Sequence, residues 1–211
     1  ARDAAVRVGL FGGSFDPIHQ GHIAPVLEAQ RALALDRIVY LPTANPPHKR
    51  RRSFAPALAR FAMVELALLD HADVMVSTHE LTLDRPAYTV ETLAHFRAAE
   101  PASELFLILG ADSFLEFSTW VRWREILALA QLVVLTRPGF RVAEARAEAP
   151  PELAPELRAA VAAGDVHFVE NAPLPVSSTE VRRRLAAGEA IPDGWLAPRV
   201  VRYLSKYRLY R

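Results

Sequence analysis

Short apolar runs alternate with longer segments of helical period along nearly the whole chain, and few architectures accept that order. Residues 6–11, 37–41, 73–77, 104–109, 131–136 and 165–169 read as strands. Segments 21–35, 55–69, 90–99, 112–117, 122–130 and 198–208 carry apolar residues at helical spacing, and Ser177-x-x-Glu180 opens a further helix over 181–187 as a capping box. Strand, helix, strand in repeated succession predicts an α/β fold: a Rossmann-like doubly wound parallel sheet with helices on both faces and right-handed crossovers. Ligands of such sheets sit beyond the carboxyl ends of the strands.

Length and charge limit what the sheet can serve. With 211 residues, 51% of them apolar, the chain suits a single domain over 1–211 with a C-terminal helical segment from about 178. Residues 141–155, rich in alanine, proline and charge, read as a flexible insertion. Basic and acidic residues number 25 and 24. That balance leaves no global field for a nucleic acid or an anionic membrane, so an anion must be held by a local site. The absence of cysteine excludes disulfides and thiolate zinc sites and fits a cytoplasmic protein. No apolar stretch approaches the roughly 20 residues that cross a bilayer, so a soluble protein is expected. Homo-oligomerisation stays open.

Four of the nine glycines fall between Gly9 and Gly21, in the run Gly9-Leu-Phe-Gly12-Gly13-Ser14-Phe15-Asp16-Pro17-Ile-His19-Gln-Gly21-His22. They follow the first strand, where Gly12 and Gly13 are expected to end the ladder, and they precede a helix start, where exposed amides and the dipole favour a phosphate. The run holds no Gly-Lys dipeptide and no Gly-x-Gly-x-x-Gly, so it is neither of the two familiar phosphate loops. His19 and His22 stand three residues apart, hence on one helix face, with Gly21 between them leaving room for a flat base or a phosphate. Two other readings fit the same residues: a flexible connection with two surface histidines, and a metal pair completed by Asp16.

His19-x-Gly21-His22 resembles the signature of a nucleotidyltransferase superfamily, and Ser177-Ser178-Thr179-Glu180-Val181-Arg182 supplies the second half that such proteins carry. Further segments resemble bacterial nicotinate mononucleotide adenylyltransferases across most of the chain: Pro46-Pro47-His48-Lys49, Pro86-Ala87-Tyr88-Thr89, Gly110-Ala111-Asp112 and Ser118-Thr119-Trp120. The resemblance implies an adenylyltransferase that joins ATP and nicotinate mononucleotide into deamido-NAD and pyrophosphate. It implies catalytic roles for His19, His22 and Arg182. It implies ATP binding by these three with Gly12, Gly13, Phe15, Gly110, Asp112, Ser177 and Thr179. The acceptor would meet Ser14, Lys49, Tyr88, Thr89, Trp120 and Arg137. Lys49 is one of two lysines in a chain that otherwise uses arginine, which suits a compact point charge. Thr89 at a helix start favours a carboxylate over a neutral carboxamide. Trp123 is expected in the core. Leu83 departs from the basic residue that many relatives carry before the tyrosine. Magnesium is expected to arrive with ATP, with no tightly bound protein metal.

Overall fold

The computed structural model describes residues 5–44, 55–136 and 153–211. Its strands are β1 (Arg7–Gly13), β2 (Arg37–Pro42), β3 (Val74–Val76), β4 (Glu104–Gly110), β5 (Gln131–Thr136) and β6 (Val166–Glu170). The helices are α1 (Gln20–Ala32), α2 (Ala57–Leu68), α3 (Thr89–Ala99), α4 (Ala111–Leu115), α5 (Trp123–Leu129), α6 (Pro155–Ala163), α7 (Ser178–Ala186) and α8 (Pro198–Tyr207). The strands form one sheet in the order β3-β2-β1-β4-β5-β6. This is the doubly wound order expected of the alternating pattern. The order reverses at β1, whose carboxyl end leads into the glycine-rich loop.

The pairs β1–β4, β4–β5 and β5–β6 are parallel, with Val8 opposite Leu105, Ile108 opposite Val133 and Val134 opposite Phe168. Five consecutive residues of β4, Leu105 to Leu109, are buried. A strand covered on both faces has no solvent side and therefore shows a continuous apolar run instead of alternation.

The chain divides into two compact units. One comprises the described residues of Ala1–Phe11, Glu28–Ile38 and Tyr88–Pro173. Here Phe114 meets Phe168 edge-on at 5.5 Å, and Arg97 ties the ends of α3 and α5 by donating to the carbonyls of Ser103 and Leu129 at 2.5 and 2.9 Å. The other comprises Gly12–Leu27, the described part of Val39–Ala87, and Leu174–Arg211. In it α2 packs on α8 and on β3.

Three elements differ from the sequence expectation. β1 runs on through Gly12 and Gly13, because Thr43 still donates to the Gly13 carbonyl at 3.0 Å; glycine weakens a ladder without ending it while its backbone stays paired. α7 starts at Ser178, three residues early, since Ser177 is its N-cap and accepts from the Glu180 amide at 3.2 Å. Pro155–Ala163 is a helix where composition suggested an insertion reaching Pro155; proline at its first turn and Gly164 in the left-handed region after it (φ 85°) are the signals that bound it. The rest of that segment, through residue 152, lies outside the described residues, as does the proline-rich loop after β2 from residue 45 to 53.

Candidate active site

The four glycines of the first loop do different jobs. Gly9 is buried, and a Cβ there would stand 2.6 Å from Ile38 Cδ1 and 2.9 Å from Ile108 Cδ1. It serves the sheet's packing, not a nucleotide, which corrects its grouping with the loop. A Cβ on Gly13 would meet the Phe15 ring at 2.9 Å, whereas Gly12 is exposed and has room. Phe15 is 1% exposed and adopts φ 46°, a conformation costly for a bulky residue and found where surroundings impose it. Its ring lies edge-on to His22 at 5.3 Å and against Tyr40 at 5.5 Å.

The two imidazoles come together as their spacing predicts. Their rings stack with centroids 3.7 Å apart and planes 25° from parallel. Gly21 is required for this in a way the sequence did not suggest. A Cβ there would lie 2.9 Å from His19 Cε1, so the glycine makes room for the histidine ring itself instead of a base or phosphate. His19 precedes α1, and its amide donates to His22 Nδ1 at 3.2 Å, the return half of a capping box. With Nδ1 accepting, the neutral His22 ring carries its proton on Nε2. The His22 carbonyl in turn accepts from the buried Tyr40 hydroxyl at 2.7 Å. His19 is 6% exposed, and burial lowers its pKa to about 4. Among the described residues, its Nδ1 and the Thr43 Oγ1 are buried without a hydrogen-bond partner.

Asp16 organises the loop. Its carboxylate is buried; Oδ1 accepts from the Ala55 amide at 3.0 Å and from the Tyr210 hydroxyl at 2.5 Å, and Arg182 Nη1 stands 3.4 Å from Oδ2. Arg182 also donates to the Asp16 carbonyl and, at 3.2 Å, to Thr179 Oγ1. Asp16 is therefore an anchor and not the third ligand of a metal pair. No group of three His, Asp or Glu positioned for a metal occurs among the described residues. Next along the chain, after the cis Asp16–Pro17 peptide, Ser178 donates to the Pro17 carbonyl at 3.0 Å and the Gln20 amide reaches the Trp195 carbonyl at 2.9 Å. Ser178 and Arg182 of the second signature half are thus bonded to Pro17 and Asp16, in the loop that leads into the first. Ser177 caps α7 and is exposed, as is Thr179. The Glu180 carboxylate faces Arg183 and Arg184, which hold it down to about 2.

Arg60 completes the brace. It is 1% exposed and donates to the carbonyls of Ser14 at 2.6 Å, Ala44 at 3.0 Å and Ala55 at 3.1 Å, tying the ends of the loops after β1 and β2. Sequence reasoning passed over it, although a lone charge on the face shared by Met63 and Val64 signals a buried cation that needs carbonyl partners. Ser178 and Tyr210 were missed as well, and nothing in local spacing points to either.

In the other unit, Tyr88 is the N-cap of α3 with no side-chain cap, and Thr89 is its first residue. The amides of Glu91 and Thr92 turn back to the Tyr88 carbonyl at 2.9 and 3.1 Å. Gly110 is the N-cap of α4, with an ordinary φ of −76°; a Cβ there would meet nothing within 4 Å among the described residues. The fold does not demand this glycine. Asp112 is exposed on the first turn of α4. Trp120 is half-buried with its ring 5.3 Å from that of Phe117, while Trp123 is 6% exposed and meets Phe117 at 6.1 Å, the core role expected of it. Lys49 and Arg137 lie outside the described residues.

Residues 10–184 match the family described as cytidylyltransferase-like. A probable nicotinate-nucleotide adenylyltransferase of Thermus thermophilus is 39% identical over 206 residues, covering 98% of this chain and all of that protein. A probable nicotinate-nucleotide adenylyltransferase of Chromobacterium violaceum is also 39% identical, over 97% of this chain and 99% of its own. Among solved structures, the Plasmodium falciparum nicotinic acid mononucleotide adenylyltransferase complexed with NaAD superposes with a TM-score of 0.70 at 18% identity, covering 97% of both chains. At that identity the likeness is one of fold.

Proposed function

Because the chain belongs to the nicotinate-nucleotide adenylyltransferases of the cytidylyltransferase-like family, enzymes of NAD biosynthesis, we propose that it joins ATP and nicotinate mononucleotide by direct in-line attack. The acceptor's 5′-phosphate attacks the α-phosphorus of ATP, the bond to the β-phosphate breaks, and deamido-NAD and pyrophosphate leave. A phosphate near neutral pH needs no deprotonation to act as nucleophile, so the site has to supply position and charge stabilisation only.

The observation that supports this reading is the braced pair His19 and His22, joined through Asp16 and Pro17 to the start of α7. His22 Nε2 and the unpartnered His19 Nδ1 are the donors for the triphosphate. His19 is neutral at pH 7 and donates one hydrogen bond without carrying a buried charge; the phosphates' negative charge draws its pKa upward as they bind. Arg182, Ser177, Thr179 and the first amides of α7 meet the β- and γ-phosphates, with Gly12, Gly13 and Phe15 along the nucleotide and Gly110 and Asp112 at a ribose. Ser14, Lys49 and Arg137 hold the acceptor's phosphate side, Trp120 stacks on its pyridine ring, and Tyr88 and Thr89 receive its carboxylate. Magnesium enters on the triphosphate as part of the substrate. A cytoplasmic site of action belongs to the same proposal; among the described residues no helix is long and apolar enough to cross a membrane.

Pyrophosphate release from ATP, measured separately with nicotinate mononucleotide, nicotinamide mononucleotide and phosphopantetheine, tests the reading. The nicotinate acceptor should be used best. Silence with all three would sink adenylyl transfer, and a preference for phosphopantetheine would sink the acceptor assignment.

A further inference from the structure

After α8 the backbone passes twice through the left-handed region, at Arg208 (φ 52°) and at Tyr210 (φ 64°). Neither is glycine, so both conformations are imposed by what surrounds them. The Leu209 amide closes the helix end on the Leu204 carbonyl at 3.2 Å. The second left-handed residue then aims its phenol at the buried Asp16 carboxylate, 2.5 Å from Oδ1. Burial and this hydrogen bond both push the phenol's pKa well above its ordinary value, so it stays a donor at every pH where the protein works.

What the phenol does there follows from how one carboxylate divides its donors. Oδ1 is shared by Tyr210 and the Ala55 amide. Arg182 Nη1 stands 3.4 Å from Oδ2 and donates to the Asp16 backbone carbonyl, while its Nη2 reaches Thr179 Oγ1 at 3.2 Å. A carboxylate and a guanidinium sharing a buried site otherwise close to about 2.8 Å, commonly through two parallel bonds. We propose that Tyr210 is a positioning residue for the transfer: by holding Oδ1, it keeps the Asp16–Arg182 pair open and leaves the guanidinium directed to the triphosphate. Tyr210 itself touches no reacting atom. The inference rests on Arg182 meeting the phosphates of ATP. Without the phenol, Asp16 has charge to spare, draws Arg182 into a closed pair and withdraws it from the nucleotide.

Tyr210→Phe keeps the ring and removes only the donor. Its KM for ATP should rise about tenfold, the worth of one charge-assisted hydrogen bond, while the acceptor KM stays within about twofold. The decisive measurement is a double-mutant cycle with Arg182→Lys, a side chain that cannot form the paired bonds. Arg182→Lys alone should weaken kcat/KM for ATP about a hundredfold, and adding Tyr210→Phe should then cost less than about twofold more. Wild-type ATP kinetics in Tyr210→Phe, or its full penalty persisting beside Arg182→Lys, would overturn the proposal, as would an equal rise in the acceptor KM. A Tyr210→Phe protein that does not fold overturns it too, since the phenol would then be holding the fold instead of Arg182. If Arg182→Lys leaves ATP kinetics untouched, the phosphate role of Arg182 itself falls, and that result is distinct from the others.

Discussion

Around Asp16, hydrogen bonds from residues 39, 166 and 194 positions away converge on one loop, whereas those of Tyr88 and Trp120 run to residues three or four along the chain. The first region is buried and cross-braced: Phe15, Asp16, Ile18 and His19 are all less than a tenth exposed. In the second, Tyr88 is 38% exposed and Trp120 is half-buried. Under the proposed function the difference separates two tasks. Groups that meet charge developing in a transition state gain from being fixed beforehand. Groups that recognise a flat ring and a carboxylate need area and a helix start, both of which a single short element provides. Substitutions in the braced region should therefore lower turnover or weaken the handling of ATP, and those in the other should weaken binding of the acceptor.

The strongest test removes a donor from the braced pair. His22→Ala should lower kcat about a thousandfold while the protein stays folded, its melting temperature falling only by the few degrees that a lost capping contact of about 1 kcal/mol costs, and wild-type turnover in that variant would take the histidine pair out of the reaction. A second test uses pH. The unfolded chain protonates His19 near 6.5 and the folded chain near 4. As pH falls through that window only the unfolded state takes up the proton, so stability declines by about 3 kcal/mol from this group, with no further loss below it. Urea denaturation across the window should therefore be less pH-dependent in His19→Asn; an equal slope in both proteins would mean the ring is not held neutral.

A third substitution separates packing from fold. Gly21→Ala pushes the His19 ring off His22 and should cost about a hundredfold in kcat, as ångström-scale displacements of catalytic groups do. Alanine's better helix propensity, at most about 1 kcal/mol, should meanwhile offset part of the cost of moving the buried ring, so that urea stability falls only slightly. Unchanged kcat would show that the stacked arrangement is dispensable. The smallest effect belongs to the exposed region: Trp120→Ala should raise the acceptor KM about tenfold through lost stacking and leave the KM for ATP alone. A rise in both would erase the contrast between the two regions.

Much of the fold was legible because its signals are local. Continuous apolar runs and helical spacing found the six strands to within one residue at each end, except at the carboxyl end of β1, which runs two residues further, and the helix starting at Thr89 matched its expectation. The i, i+3 spacing placed both histidines on one face. Boundaries failed where tertiary bonding decided them: β1 runs on through Gly12 and Gly13 because Thr43 donates to the Gly13 carbonyl, and composition hid the helix that begins at Pro155.

The sequence by itself determined the order of strands and helices, the histidine pair and the resemblance that joined residues 19–22 to residues 177–182, since each depends on residue type at short spacing. Only the tertiary structure decided that Asp16 is an anchor and not a metal ligand, that Gly9 serves the core, that Gly21 accommodates a histidine ring, and that Arg60, Ser178 and Tyr210 hold the loop. Those roles rest on hydrogen bonds and contacts between side chains brought together by the fold. Spacing along a chain carries no record of a bond between residues 16 and 210.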